Sequence, residues 1–153
     1  MKRLLLPLLA ALSLPTVVNA EGTDNPYQKG SLMFYITRAY NRLEADDYSG
    51  ALADYDIVIE NKDIYKEAFG SLEEFDKLYF QRGNAKNNLG DYSGALSDFN
   101  KALSLNRSNP LIYYNRGFTW LNLKNTSKAC KDFRKASSLG DSYADKTIEK
   151  YCM

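Results

Sequence analysis

The sequence predicts an all-α protein built as an α-solenoid: three helix pairs in a row and one closing helix. Three observations predict it. The hexapeptide "DYSGAL" occurs at Asp47–Leu52 and again at Asp91–Leu96, and a looser version, "NTSKAC", follows at Asn125–Cys130. Around each copy one frame recurs: Tyr35, Arg38, Ala39, Ala51, Tyr55; then Tyr79, Arg82, Gly83, Ala95, Phe99; then Tyr113, Arg116, Gly117, Ala129, Phe133. Between the halves of each frame stand Asp47, Asp91 and Asn125, residue types that cap a helix by accepting from its orphan N–H groups. In each half an aromatic and a small residue stand four apart, on one helical face, and the small residue lets a second helix come close. One such pair cannot bury its apolar face alone, so pairs must stack.

Taken in order, residues 1–20, "MKRLLLPLLAALSLPTVVNA", pair a basic start at Lys2 and Arg3 with an apolar run from Leu4 to Leu14. Val18 and Ala20 sit at the small-residue positions of a cleavage site, the pattern of a secretory signal peptide cut near Ala20. A membrane anchor is the alternative, but a span needs roughly 20 apolar residues in succession and this run holds Pro7 and Pro15. Residues 21–31 read as a polar N-terminal tail. The folded domain is expected over 32–153, with no integral membrane span. Loss of Lys2 and Arg3 turns the net charge of +1 into −1, so no clustered basic footprint for nucleic acid remains.

The first two hexapeptides lie 44 residues apart, and the third copy follows the second by only 34. The surplus falls at about 61–75, "NKDIYKEAFGSLEEF". There "SLEE" at Ser71–Glu74 has the form of a capping box, which predicts a helix from Leu72, and Gly70 suits the end of the helix before it. Two lengthened helices are expected, with a short extra helix after Asp63 as the alternative. At the far end, Ala144, Ile148 and Tyr151 fall at helical spacing with charges between them, as in a closing helix at about 142–152 with a polar outer face.

Chemistry finds little to work with. The chain has no histidine, so the commonest general base and the usual zinc ligand are missing. No phosphate-binding glycine loop or nucleophile motif occurs. The reading is a non-enzyme, with no catalytic residue, metal or cofactor. Each frame arginine is followed sixteen residues later by an aspartate: Arg38 and Asp54, Arg82 and Asp98, Arg116 and Asp132. Such positions can meet across a helix pair, as ion pairs that fix packing; ligand binding is the alternative. Two N-x-S sequons, at Asn106 and Asn125, fall in turns where a eukaryotic host could glycosylate them.

The frame resembles the tetratricopeptide repeat, TPR, whose 34-residue helix–turn–helix unit carries W-x2-L-G-x2-Y…A-x3-F. Here it reads "YFQRGNAKNNLGDYSGALSDFNKAL" and "YYNRGFTWLNLKNTSKACKDFRKAS". The resemblance places units at about 32–65, 76–109 and 110–143. The first departs from the pattern, with Ala39 for Gly and Arg42 at the second aromatic position. The family's closing Pro is absent, although Asn109 and Pro110 make a cap-then-Pro start to the third unit.

That resemblance also implies a binding face. Exposed positions of each first helix would line a groove: Met33, Ile36 and Tyr40; Lys77, Phe80, Gln81, Asn84 and Asn88; Leu111, Tyr114, Asn115 and Phe118. The family's carboxylate clamp is not carried over, because Ile36 and Tyr114 stand where charge is needed. Aromatics at such spacing serve a core as readily as a contact. Extracytoplasmic repeat proteins with a similar "AC" and terminal "YC" imply a disulfide between Cys130 and Cys152, against the alternative of two buried thiols. The function implied is binding of a peptide segment or protein partner, as an extracytoplasmic scaffold or assembly factor in the periplasm or outside the cell. A homodimer joined through the same groove is the alternative.

Overall fold

The computed structural model describes residues 29–72 and 74–152, and within them every regular element is a helix. The order is α1 (Lys29–Glu44), α2 (Tyr48–Glu60), α3 (Lys62–Phe69), α4 (Phe75–Asn88), α5 (Tyr92–Leu105), α6 (Pro110–Asn122), α7 (Thr126–Ser138) and α8 (Ser142–Tyr151). Helices α1 and α2, α4 and α5, and α6 and α7 form three pairs, and α8 lies on α7. The pairs join through α2 against α4 and α5 against α6. The expected signal peptide and most of the polar tail lie outside the described residues; α1 is already helical at Lys29, within the stretch read as tail. Among the described residues no helix is long and apolar enough to cross a membrane.

The repeated hexapeptide builds the turn inside each pair. Asp47, Asp91 and Asn125 cap α2, α5 and α7, each accepting from the backbone N–H three residues on: Gly50, Gly94 and Lys128. The residue before each cap is left-handed: Asp46, Gly90 and Lys124, with Gly140 repeating the device before the Asp141 cap of α8. Glycine adopts that conformation freely, whereas an L side chain strains it by about 1–2 kcal/mol. Below the turn the frame closes as a packed face. Ala51, Tyr55, Ala95, Phe99, Ala129 and Phe133 are fully buried. A Cβ added to Gly83 would stand 2.8 Å from the Phe99 ring, and one on Gly117 only 2.5 Å from Phe133, so these pairs need the missing side chain.

The insertion resolves as the short extra helix and not as two lengthened ones. Asn61 explains the break: its side-chain amide and its backbone N–H both reach the Ile57 carbonyl, which ends α2 and turns the chain. The new helix α3 then drops Tyr65 into the core, edge-on to Phe75, with Ile64 packed beside it. It ends at Gly70 in a left-handed conformation. Helix α4 starts at Phe75, three residues later than the capping box predicted. Leu72 packs against the core, and its carbonyl accepts from Phe75 N–H in a turn. Apolar burial of Leu72 and Phe75 outweighs the local capping preference.

At the other end Cys130 and Cys152 are joined as a disulfide, with Cα atoms 5.5 Å apart. The bridge ties the end of α8 to α7 across a separation of 22 residues. In the chain-entropy description a loop of that size contributes about 3 kcal/mol.

Candidate protein-interaction surface

Three arginine–aspartate pairs hold the scaffold of the site. Arg38 Nε and Nη2 donate to the two carboxylate oxygens of Asp54 at 2.8 and 2.6 Å. Arg82 does the same to Asp98, and Arg116 to Asp132, all at 2.6–2.8 Å. Each aspartate is buried on the second helix of its pair, while each arginine keeps some solvent and lies over the frame tyrosine. Two parallel bonds fix both angle and register of the helices, which suits a guanidinium better than an ammonium. The bond to Asp54 raises the pKa of Arg38. Burial works against the charge of Arg82, but its bonds to Asp98 and Asp56 outweigh that and raise its pKa.

Sequence spacing did not reveal the second layer of this network. Arg42 also donates to Asp54, and Lys86 pairs with Asp98 at 2.8 Å, both from one turn beyond the frame arginine. The third unit has Trp120 there, covered instead by Lys128 at 4.2 Å from the ring centroid. Between units, Arg82 Nη1 reaches back to Asp56, and Arg116 Nη1 reaches back to Asn100. The signal was present, since Asp56 and Asn100 are in register, but only the stacking of one pair on the next makes it meaningful. Asn106 Nδ2 likewise donates to the buried Asp76 carboxylate, so this sequon's side-chain amide is engaged in tying α4 to the turn after α5.

On the face of the first helices, the candidates divide. Met33, Lys77, Asn88 and Leu111 are exposed, with Leu111 at 50% and Met33 at 43%. Lys77 pairs with Glu74 at 2.7 Å. The amides form a row. Asn84 donates to Gln81 Oε1, Asn88 to the Asn84 carbonyl and Asn115 to the Leu111 carbonyl. Asn87, which spacing did not single out, accepts from Thr119 and so links α4 to α6.

The aromatic candidates serve the core more than the surface. Ile36 packs on the first core cluster, Tyr40 meets Tyr55 edge-on, and Phe80 leans on Phe99. Tyr114 and Phe118 do not stand free: α8 covers them. The Tyr114 hydroxyl lies 3.2 Å from Thr147 Oγ1, and Phe118 is wedged between Phe133 and Tyr151. The last apolar surface of a stacked array has to be covered, and these two rings are part of it. Among the described residues no group of three or more acidic, Cys or His side chains could hold a metal.

The assembly is that of a helical-repeat solenoid, and comparison with known proteins places it among TPR folds. Residues 83–124 match the sequence family described as TPR repeat. The first TPR of Spaghetti (RPAP3), solved with the HSP90 peptide SRMEEVD, is similar with a TM-score of 0.64 and 22% identity, over 78% of this chain and 89% of that one. The Arabidopsis OM64 TPR domain gives a TM-score of 0.65 at 21% identity, covering 79% and 96%. The Yersinia enterocolitica type III secretion chaperone SycD, solved with a peptide of the translocator YopD, gives 0.62 at 12% identity, covering 82% and 89%. No curated protein matches the sequence significantly. Residues 83–124 thus match a TPR repeat, and the described residues fold as a TPR-like solenoid.

Proposed function

We propose that this chain is a non-catalytic module that holds a peptide segment or protein partner along the face of α1, α4 and α6, as an extracytoplasmic scaffold or assembly factor. The observation that carries the reading is the amide row. The side-chain N–H groups of Asn84, Asn88 and Asn115 are anchored, and their amide oxygens have no partner among the described residues. Acceptors held in place, together with the exposed apolar side chains Met33 on α1 and Leu111 on α6, suit the backbone N–H groups and apolar side chains of a docked segment. The arginine–aspartate pairs support the reading, because a face held rigid loses less entropy on binding. The peptide-bound structures named above support it by fold alone. The signal-like leader and the disulfide support an oxidising compartment outside the cytoplasm.

The test begins with crosslinking the mature protein in its native compartment to obtain the partner. Binding of that partner to an Asn84→Ala/Asn88→Ala variant is then measured by calorimetry. Loss of about tenfold or more is expected from two missing hydrogen bonds, with no change for the exposed α5 variant Lys101→Ala. Equal affinity of the asparagine variant overturns the site. A stable dimer by light scattering that hides Asn84 and Asn88 replaces it with self-association. For the compartment, a mature N-terminus at Glu21 in an extracytoplasmic fraction is expected; a cytoplasmic chain retaining Met1 overturns that part.

A further inference from the structure

We propose that the cleft where α5 meets α6 is a second binding site, taking a carboxylate from an acidic segment of a partner protein. The cleft is a wide depression open to solvent, of about 420 Å³, lined by Asn100, Leu103, Ser104, Arg107, Tyr113 and Arg116. That size lies within the range of about 300–1,000 Å³ usual for ligand sites. Helical periodicity puts Tyr113 and Arg116 on the side of α6 opposite Leu111, Asn115 and Phe118. The cleft is therefore separate from the groove.

The ligand chemistry follows from the sister joint. Where α2 meets α4, Arg82 Nη1 donates to the Asp56 carboxylate at 2.7 Å. The residue in register with Asp56 one repeat on is Asn100, and Arg116 Nη1 donates to its neutral amide oxygen at 2.6 Å. The carboxylate that Arg82 meets at the first joint is thus a neutral amide at the second, while the arginine persists. The turn after α5 then adds Arg107, exposed and without a hydrogen bond or ion pair among the described residues.

The charge balance is simple. Asp132, inside the third pair, accepts two bonds from Arg116 and balances one guanidinium. The second guanidinium, Arg107, has no counterpart. The cleft therefore keeps one uncompensated positive charge at the joint whose sister holds an internal carboxylate. The planar fork of Arg107 matches a carboxylate with two parallel bonds, and Arg116 Nη1 retains a second N–H beyond the one given to Asn100. Leu103 and Tyr113 supply an apolar wall for the methylene stem of a glutamate side chain.

The carboxylate is that of a glutamate side chain, and the test separates it from a chain terminus. The isotopically labelled full-length mature chain, disulfide intact, is titrated with three probes while the Arg107, Arg116 and Asn100 side-chain signals are followed by NMR. The probes are acetyl-Glu-Glu-amide, acetyl-Gln-Gln with a free C-terminal carboxylate, and inorganic phosphate. Saturable shifts are expected with acetyl-Glu-Glu-amide, and binding of the free C-terminal carboxylate alone overturns the acidic segment as the occupant. Both Asn100→Asp, which supplies the carboxylate internally, and Arg107→Ala are expected to weaken binding by about tenfold or more. Arg107 is exposed, so its variant keeps the fold and carries the test even where Asn100→Asp perturbs the joint. No saturable shift with either peptide, tighter binding of phosphate than of both, or an Arg107→Ala variant of unchanged affinity overturns the proposal.

Discussion

The two ends of the solenoid close the same frame by different means. In the first pair, Ala39 stands where glycine would allow the closest approach, and two arginines, Arg38 and Arg42, converge on one buried carboxylate, Asp54. In the third pair, Gly117 lets Phe133 come in tightly, one arginine holds Asp132, and α8 is laid over the end and covalently tied down. The first end is held by charge and the last by ring packing and a crosslink. Repeats tolerate such exchange because each interface has only to make up a similar total, whatever the source.

The largest expected effect tests the charge side of that contrast. Asp54→Ala takes the buried carboxylate from two guanidiniums, and Asp132→Ala takes it from one. Solvent reaches all three, so losses of about 3–4 and about 2–3 kcal/mol are expected in chemical denaturation. Equal losses would remove the distinction between the ends. Next, Cys130→Ser with Cys152→Ser should cost about 3 kcal/mol, with faster hydrogen exchange confined to α8 and the end of α7. Uniform acceleration from α1 to α8 would show instead that the clamp stabilises the whole array.

Gly117→Ala comes third. The added methyl meets the Phe133 ring at 2.5 Å, against 2.8 Å at Phe99 for Gly83→Ala. Overpacking of this kind costs about 1–3 kcal/mol, offset in part by better helix propensity. Gly117→Ala should therefore lower Tm more than Gly83→Ala, and the reverse order would contradict the close approach seen at the last pair.

The smallest effect is a gain. Among the described residues the buried Tyr55 hydroxyl has no hydrogen-bond partner, and burial raises its pKa well above the ordinary 10.0. Tyr55→Phe should stabilise the protein by about 1 kcal/mol at neutral pH. The folded state keeps this phenol neutral where the unfolded chain would ionise it. Its contribution is therefore undiminished below pH 10 and falls as pH rises from there towards the raised value. The variant should lose less stability in that alkaline window, and parallel pH profiles for the two proteins would refute the burial argument.

Local chemistry made much of this legible. The caps at Asp47, Asp91 and Asn125 and the sixteen-residue spacing of Arg and Asp depend on residues within one helix pair, so their pattern survives in a linear reading. The insertion was less legible. "SLEE" carries a sound capping signal, yet Phe75 and Leu72 find more burial with α4 starting later. Likewise the ring candidates Tyr114 and Phe118 have helical spacing that fits a groove or a core equally well, and only the arrival of Thr147 and Tyr151 from α8 decides.

By itself, then, the order of residues determined the units: which segments coil, where they are capped, and which arginine faces which aspartate within a pair. Tertiary structure alone decided how one pair sits on the next, which brought Arg82 to Asp56, Arg116 to Asn100 and Asn106 to Asp76. The reason is range. Periodicity and capping act over a turn or two of one chain, whereas the contacts between pairs depend on packing angles set by every side chain in the joint.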